Sequence, residues 1–145
     1  MEPRYARNIP ALTEEECTLL LGKKVAVIGC GGLGGHLIDQ LARIGVGSLR
    51  VVDGDVFEPS NLNRQLLSEV PLLGVSKAKA AADRVMRVNP DIEIEAVTHF
   101  LTQDNAAQII AGCDVVLDGL DNIESRKILA AACHKAGIPY IFGAI

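Results

Sequence analysis

Apolar residues along the chain come in short unbroken runs, separated by longer stretches in which they recur at helical spacing. Val25-Ala26-Val27-Ile28 and Val115-Val116-Leu117 are runs of the first kind. They predict strands buried on both faces. Ser48 to Val52 and Pro139 to Ile145 complete this set. Ile92 to Val97 alternates Ile-Glu-Ile-Glu and predicts a strand with one exposed face. Between the strands lie helical patterns. Thr13 and Glu16 form a capping box opening a short helix through about Leu21. A second helix runs from about Gly34 to Ile44, with Leu33, Leu37, Leu41 and Ile44 as its apolar face. Ser76 to Val88 is a third, ended by the Asn89-Pro90 break. Thr102 to about Ala111 and Asn122 to Ala136 are predicted as two more.

Strand and helix therefore alternate, and the strands are buried. That order predicts an α/β fold: a doubly wound, mainly parallel, Rossmann-like sheet with helices on both faces. Residues 1–22 are expected to form an N-terminal arm with a short helix, and residues 23–145 one Rossmann-like domain. The last apolar strand reaches the end of the chain, which leads us to expect a domain that continues beyond Ile145. In such sheets ligands bind outside the carboxyl ends of the strands. The polar residues of interest fall there: the glycines after Ile28, Asp53 after Val52, and Asp118 and Asp121 after Leu117.

Composition narrows the picture. The chain has 145 residues, a formal net charge of −4, and 49% hydrophobic but only 3% aromatic residues. One domain with an aliphatic core follows. No basic run with interleaved aromatics suggests a nucleic-acid surface. No apolar run approaches the roughly 20 residues of a membrane span, and no signal-peptide core is seen. A cytoplasmic protein is expected. Cys17, Cys30, Cys113 and Cys133 show no C-x-x-C spacing, so a zinc pair within this stretch is not expected. Cys30 lies inside a glycine-rich loop, where reactivity is conceivable on position alone.

That loop, Gly29-Cys30-Gly31-Gly32-Leu33-Gly34, is G-x-G-x-x-G directly between a strand and a helix. Missing side chains permit a tight turn and close approach of phosphates to helix-terminal N–H groups. Asp53 stands where an acidic residue would hold a ribose. This combination indicates a nucleotide and leaves its identity open. The loop Ser60-Asn61-Leu62-Asn63-Arg64-Gln65 adds a guanidinium, which grips phosphate as a planar fork. Lys77 sits in the first turn of its helix, opposing the helix dipole; a bound anion would reverse that cost. The alternative is a solvated lysine at a frayed helix end. Asp121 is placed to hold Mg²⁺ beside phosphate oxygens, yet with Glu124 it also reads as a capping box.

Taken in order, GCGGLG, Asp53-Gly-Asp55, SNLNRQ, Lys77 and Asp121-Asn122 before a helix resemble the ThiF/MoeB/HesA adenylating enzymes of the ubiquitin-activating superfamily. Arg4-Tyr5-Ala6-Arg7 resembles that family's N-terminal arm, with Asn8 where glutamine is usual. The resemblance implies an adenylyltransferase that uses ATP and Mg²⁺. It activates the C-terminal glycine carboxylate of a ubiquitin-like sulfur carrier (ThiS/MoaD-like) and works as a homodimer. It implies that Gly29, Gly31, Gly32 and Gly34 face ATP and that Asp53 binds ribose. Ser60, Asn61, Asn63, Arg64 and Lys77 would hold the triphosphate, and Asp121, with Asn122 beside it, would bind Mg²⁺. Arg7 would reach the partner subunit's phosphates. Zinc cysteines, a transfer cysteine and a crossover loop would belong to a C-terminal part beyond this chain. No catalytic histidine is required, and His36, His99 and His134 are expected to be structural or solvent-facing. Two other readings are an NAD-dependent oxidoreductase, which Arg64 and Lys77 disfavour, and a non-catalytic partner subunit, which would lack the Arg, Lys or Asp. A dehydratase branch acting on modified tRNA ranks below these, given the intact SNLNRQ and the absent basic patch.

Overall fold

The computed structural model of the chain describes residues 1–144; the end of the strand predicted to reach Ile145 lies outside them. Local rules set most elements. Helix α1, Glu14–Leu21, opens on the reciprocal bonds of Thr13 and Glu16, at 3.1 and 2.8 Å. Strand β1 is Lys24–Ile28, helix α2 Gly34–Ile44 and strand β2 Ser48–Val52. Helix α3, Lys77–Val88, is capped by the Ser76 hydroxyl. Strand β3, Glu93–Val97, helix α4, Ala106–Ile110, strand β4, Val115–Asp118, helix α5, Ile123–Ala136, and strand β5, Tyr140–Phe142, complete the chain.

The five strands form one all-parallel sheet in the order β3-β2-β1-β4-β5. Alternate residues of each strand face opposite sides. Val25, Val27, Leu49 and Val51 pack with Ile38 and Ala42 of α2 and Ala81 and Val85 of α3. On the other face Ala26, Ile28, Val52 and Val116 pack with Ile109 and Ile110 of α4 and Leu129 and Cys133 of α5. The chain winds outward from β1 to β3, then returns to place β4 on β1's other side. The loops after β1 and β4 thus diverge and leave a crevice at the sheet's carboxyl edge.

Three expectations are corrected. Helix α4 begins at Ala106 rather than Thr102: Thr102 and Asn105 bond each other's backbone N–H with their side chains, and the Thr102 carbonyl accepts from the Ala106 N–H, in a single turn that leads into the helix. The deepest side of α2 is Gly35, Ile38 and Ala42, flanked by the partly buried Leu37, Leu41 and Ile44. Small residues let this helix lie close to the sheet and shift the seam off the leucines. Strand β5 ends at Phe142, and the Gly143 carbonyl accepts from Arg126 instead. Among the described residues, no helix is long and apolar enough to cross a membrane.

Helices α2 and α3 are clasped by Asp39. Its two oxygens accept from Arg43 at 2.8 Å and Arg84 at 2.9 Å. Burial pushes the Asp39 carboxyl up, but the hydrogen bonds and charges of Arg43 and Arg84 outweigh this and hold it below the usual carboxylate range. A depressed folded value adds stability above the unfolded value of 3.8 that is lost as pH falls through the folded one. Asp39→Asn is expected to lose about 1–2 kcal/mol at neutral pH, the arginines being partly exposed. Denaturant melts of the two proteins should converge in acid; a gap that persists there would refute the ionic origin.

Candidate nucleotide site

A cleft of about 530 Å³ opens at the carboxyl edge of the sheet, within the size range of small-molecule sites. Its floor is the glycine-rich loop. Gly29 turns the chain with φ +99°, and a Cβ there would meet the Gly119 carbonyl oxygen at 2.5 Å. A Cβ on Gly34 would lie 1.6 Å from the Gly29 oxygen. Gly34 is therefore a packing glycine and does not line the cleft, whereas Gly29, Gly31 and Gly32 do. Above Gly32 there is nothing within 4 Å of a Cβ position. Cys30 is fully buried; burial, then the Asp53 charge, push its thiol far above the ordinary value, so it is not a nucleophile.

Asp53 directly follows β2 and braces this floor. One carboxylate oxygen accepts from the Cys30 N–H and the other from the Asp55 N–H, both at 2.9 Å. A carboxylate has about four acceptor sites, so capacity for a ligand hydroxyl remains.

Lys77 is not a frayed, solvated residue: it is 7% exposed. Its Nζ lies 4.0 Å from the Asp55 carboxylate and 5.7 Å from the centre of the Phe57 ring. A buried lysine with so loose a pairing leaves charge available to an anion in the cleft. Arg64 also lines the cleft, exposed, with its guanidinium held by the Ser60 carbonyl at 3.0 Å and the Asn63 side chain at 2.9 Å. Ser60, Asn61 and Asn63 do not themselves line it. Asn61 is buried, its side-chain oxygen accepting from the Glu58 N–H, so it shapes the turn that presents Arg64.

The Asp121 capping box is overturned. Asn122 caps α5, accepting from the Ser125 N–H at 2.8 Å, because Asn122 is the residue with extended dihedrals just before the helix. Asp121 is left exposed at the cleft, and among the described residues its carboxylate accepts a hydrogen bond only from the Asn122 amide, at 3.4 Å. The charged residues lining the cleft are thus of both signs: Arg64, Lys77 and Arg126 with Asp53, Asp55 and Asp121. Such a set suits a polyanion with a hard cation, since carboxylate oxygens stand beside phosphate-binding cations. Arg7 lies elsewhere. Its arm docks on the last turn of α2, whose first turn borders the cleft, and that helix is about 16 Å long.

The structure also gives roles to residues to which the sequence assigned none, Asp118 having been noted there only for its place at a strand end. Asp118, 1% exposed, accepts from the Leu120 N–H at 2.8 Å and from the Tyr140 hydroxyl, and lies 3.9 Å from Arg126. Burial and the bond to Asp118 hold the Tyr140 phenol up. Arg126 donates to the Leu120 and Gly143 carbonyls and lies over the Phe142 ring, stapling the Asp121 loop to β5. Its presence three residues into α5 was visible in sequence; its targets were not. Gln65, already part of SNLNRQ, lies under Gly31, and its buried Oε1 has no hydrogen-bond partner among the described residues. His99 and Phe100 are exposed and form one wall, Phe100 being 63% exposed. His36 and His134 are exposed away from the cleft. The four cysteines are free and buried.

The chain is 42% identical over 144 residues to the SAMP-activating enzyme E1 of Haloferax volcanii, covering 98% of this chain and 53% of that protein. It is 41% identical over 140 residues to the adenylyltransferase and sulfurtransferase MOCS3 of Mus musculus, covering 95% and 30%. It thus spans about half or less of the length of these relatives. The crystal structure of E. coli tRNA N6-threonylcarbamoyladenosine dehydratase, TcdA, in complex with ATP superposes with a TM-score of 0.92 at 30% identity, over 96% of this chain and 58% of that one. The ThiF family model matches residues 5–145, and the chain belongs to the ThiF family.

Proposed function

We propose that this chain is the nucleotide-binding part of an adenylyltransferase that activates the C-terminal glycine carboxylate of a ubiquitin-like sulfur-carrier protein. The observation that carries the reading is Lys77: a buried ammonium, loosely paired, facing a cleft floored by the glycine loop. It is supported by the similarity to MOCS3 and the SAMP-activating enzyme.

In this reading Gly31 and Gly32 let the phosphates of ATP approach, Asp53 takes the ribose, and Arg64 and Lys77 take the triphosphate. Asn61, Asn63 and Ser60 serve by building the Arg64 loop. Asp121, free of the capping role and flanked by Asn122, would hold Mg²⁺, which when bound neutralises phosphate charge. A carboxylate oxygen attacks the α-phosphorus; the bond to the bridging oxygen breaks and pyrophosphate leaves with its electron pair. No base is needed, because a terminal carboxylate is ionised at neutral pH. The barrier is repulsion between anions, so positioned cations do most of the catalysis. The protein would act in the cytoplasm as a homodimer in which Arg7 serves the partner's phosphates.

Calorimetric titration tests the reading. Mg-ATP is expected to bind and NAD not to bind, and Arg64→Ala should weaken ATP by about tenfold or more, one charge-assisted fork being lost. Binding of NAD without ATP would overturn it in favour of an oxidoreductase.

A further inference from the structure

Away from the cleft, the N-terminal arm is gripped by one buried amide. Asn89 follows the last turn of α3 and is 1% exposed. Its Nδ2 donates to the Tyr5 hydroxyl at 2.8 Å and to the Ala42 carbonyl at 3.0 Å. Its Oδ1 accepts from the Arg4 guanidinium and, at 3.4 Å, from the Asp91 N–H. Arg4 also pairs with Asp91 at 3.2 Å, and the Asn8 amide donates to the Ile44 carbonyl at 3.1 Å. The Tyr5 ring is buried against Gly45, where a Cβ would meet it at 2.6 Å.

Chain termini are poorly ordered unless tied down. Here Arg4, Tyr5 and Asn8 are all tied to the ends of α2 and α3. Arg7, between them, is exposed and makes no hydrogen bond or ion pair among the described residues. The arm is thus a rigid mount for one free guanidinium. The mount sits at the far ends of helices whose near ends border the cleft, so it cannot serve its own subunit's nucleotide.

We propose that Asn89 is a positioning residue for the nucleotide of a second copy of this chain: it locks the arm so that Arg7 meets the partner protomer's phosphates. This rests on the reading of Arg7 given above. Pre-organisation is what makes such a contact count, since a displacement of about 1 Å can cost a hundredfold in rate.

The test is titration with Mg-ATP and with AMP. Arg7→Ala is expected to weaken Mg-ATP about tenfold, the worth of a charge-assisted contact to the outer phosphates. AMP, which lacks those phosphates, should be unaffected. Asn89→Ala should reproduce this selective loss. Tyr5→Phe, which removes only the hydroxyl that Asn89 binds, should give a smaller loss of the same kind. It decides the matter if Asn89→Ala does not fold. Mixing Asn89→Ala protomers, with intact clefts, and Arg64→Ala protomers, with intact arms, should restore tight Mg-ATP binding in the mixed dimers. Equal weakening of ATP and AMP, or no recovery on mixing where the Arg7→Ala mixture recovers, would overturn the role of Asn89 and leave that of Arg7 standing. An Arg7→Ala protein that binds ATP normally would remove both.

Discussion

Asp121→Asn is expected to leave the fold as stable as the parent and to abolish adenylation. The stability half follows from the cap: Asn122, not Asp121, bonds the Ser125 N–H and starts α5. An exposed substitution that gives up only the long 3.4 Å bond from the Asn122 amide changes stability by no more than about 0.5 kcal/mol. The activity half follows from charge. A neutral amide offers an oxygen but not the negative charge that a carboxylate sets against a hard cation beside phosphates, so the cation would be held far more weakly. ATP–pyrophosphate exchange measured with the proposed ubiquitin-like carrier should fall by about a thousandfold. Retained exchange would take Asp121 out of the mechanism, and a fall in melting temperature would return it to the helix cap.

Gly34→Ala should destabilise the fold severely. The new methyl would lie 1.6 Å from the Gly29 carbonyl oxygen and 2.6 Å from its carbon. Both are backbone atoms at the junction of β1 and α2, so no side chain can swing aside. The loop or the helix must move off the sheet, at a cost above about 4 kcal/mol. Gly32→Ala provides the contrast. Its Cβ position is open, so the fold survives. The methyl instead projects into the space the phosphates need, and Mg-ATP binding should be lost. Thermal unfolding of the two variants separates packing from ligand approach within one motif. A Gly34→Ala protein melting within a few degrees of the parent would contradict the close loop–helix contact.

Much of the fold follows from features a linear pattern can express. Buried strands lack polar alternation, the Thr13–Glu16 box needs only its spacing, and the Asn89-Pro90 break ends α3 at Val88. The elements that were misread are those governed by side-chain bonds at close range. Thr102 and Asn105 bond each other's backbone in a turn that leads into α4, and either Asp121 or Asn122 had the chemistry to cap α5. Which one caps depends on backbone dihedrals set by the bond from Leu120 to Asp118 and by the Arg126 staple.

The site divides along the same line. That GCGGLG, Asp53, Arg64, Lys77 and Asp121 would share one cleft was legible, because strand–loop–helix order brings the segments that follow the strands to one edge of a parallel sheet. Their division of labour was not. Only packing decides that Gly34 holds the helix while Gly32 faces open space, that Asn61 is spent within its own turn, and that Lys77 is buried rather than solvated. Likewise only the tertiary structure places Phe100 against Gly54 and ties Asn89 to an arm more than eighty residues earlier in the chain. Sequence spacing determines which groups share a face, because strand and helix periods are fixed by backbone geometry. Which of those groups remains free for a ligand depends on the hydrogen bonds that distant segments have already taken, and these exist only once the chain has folded.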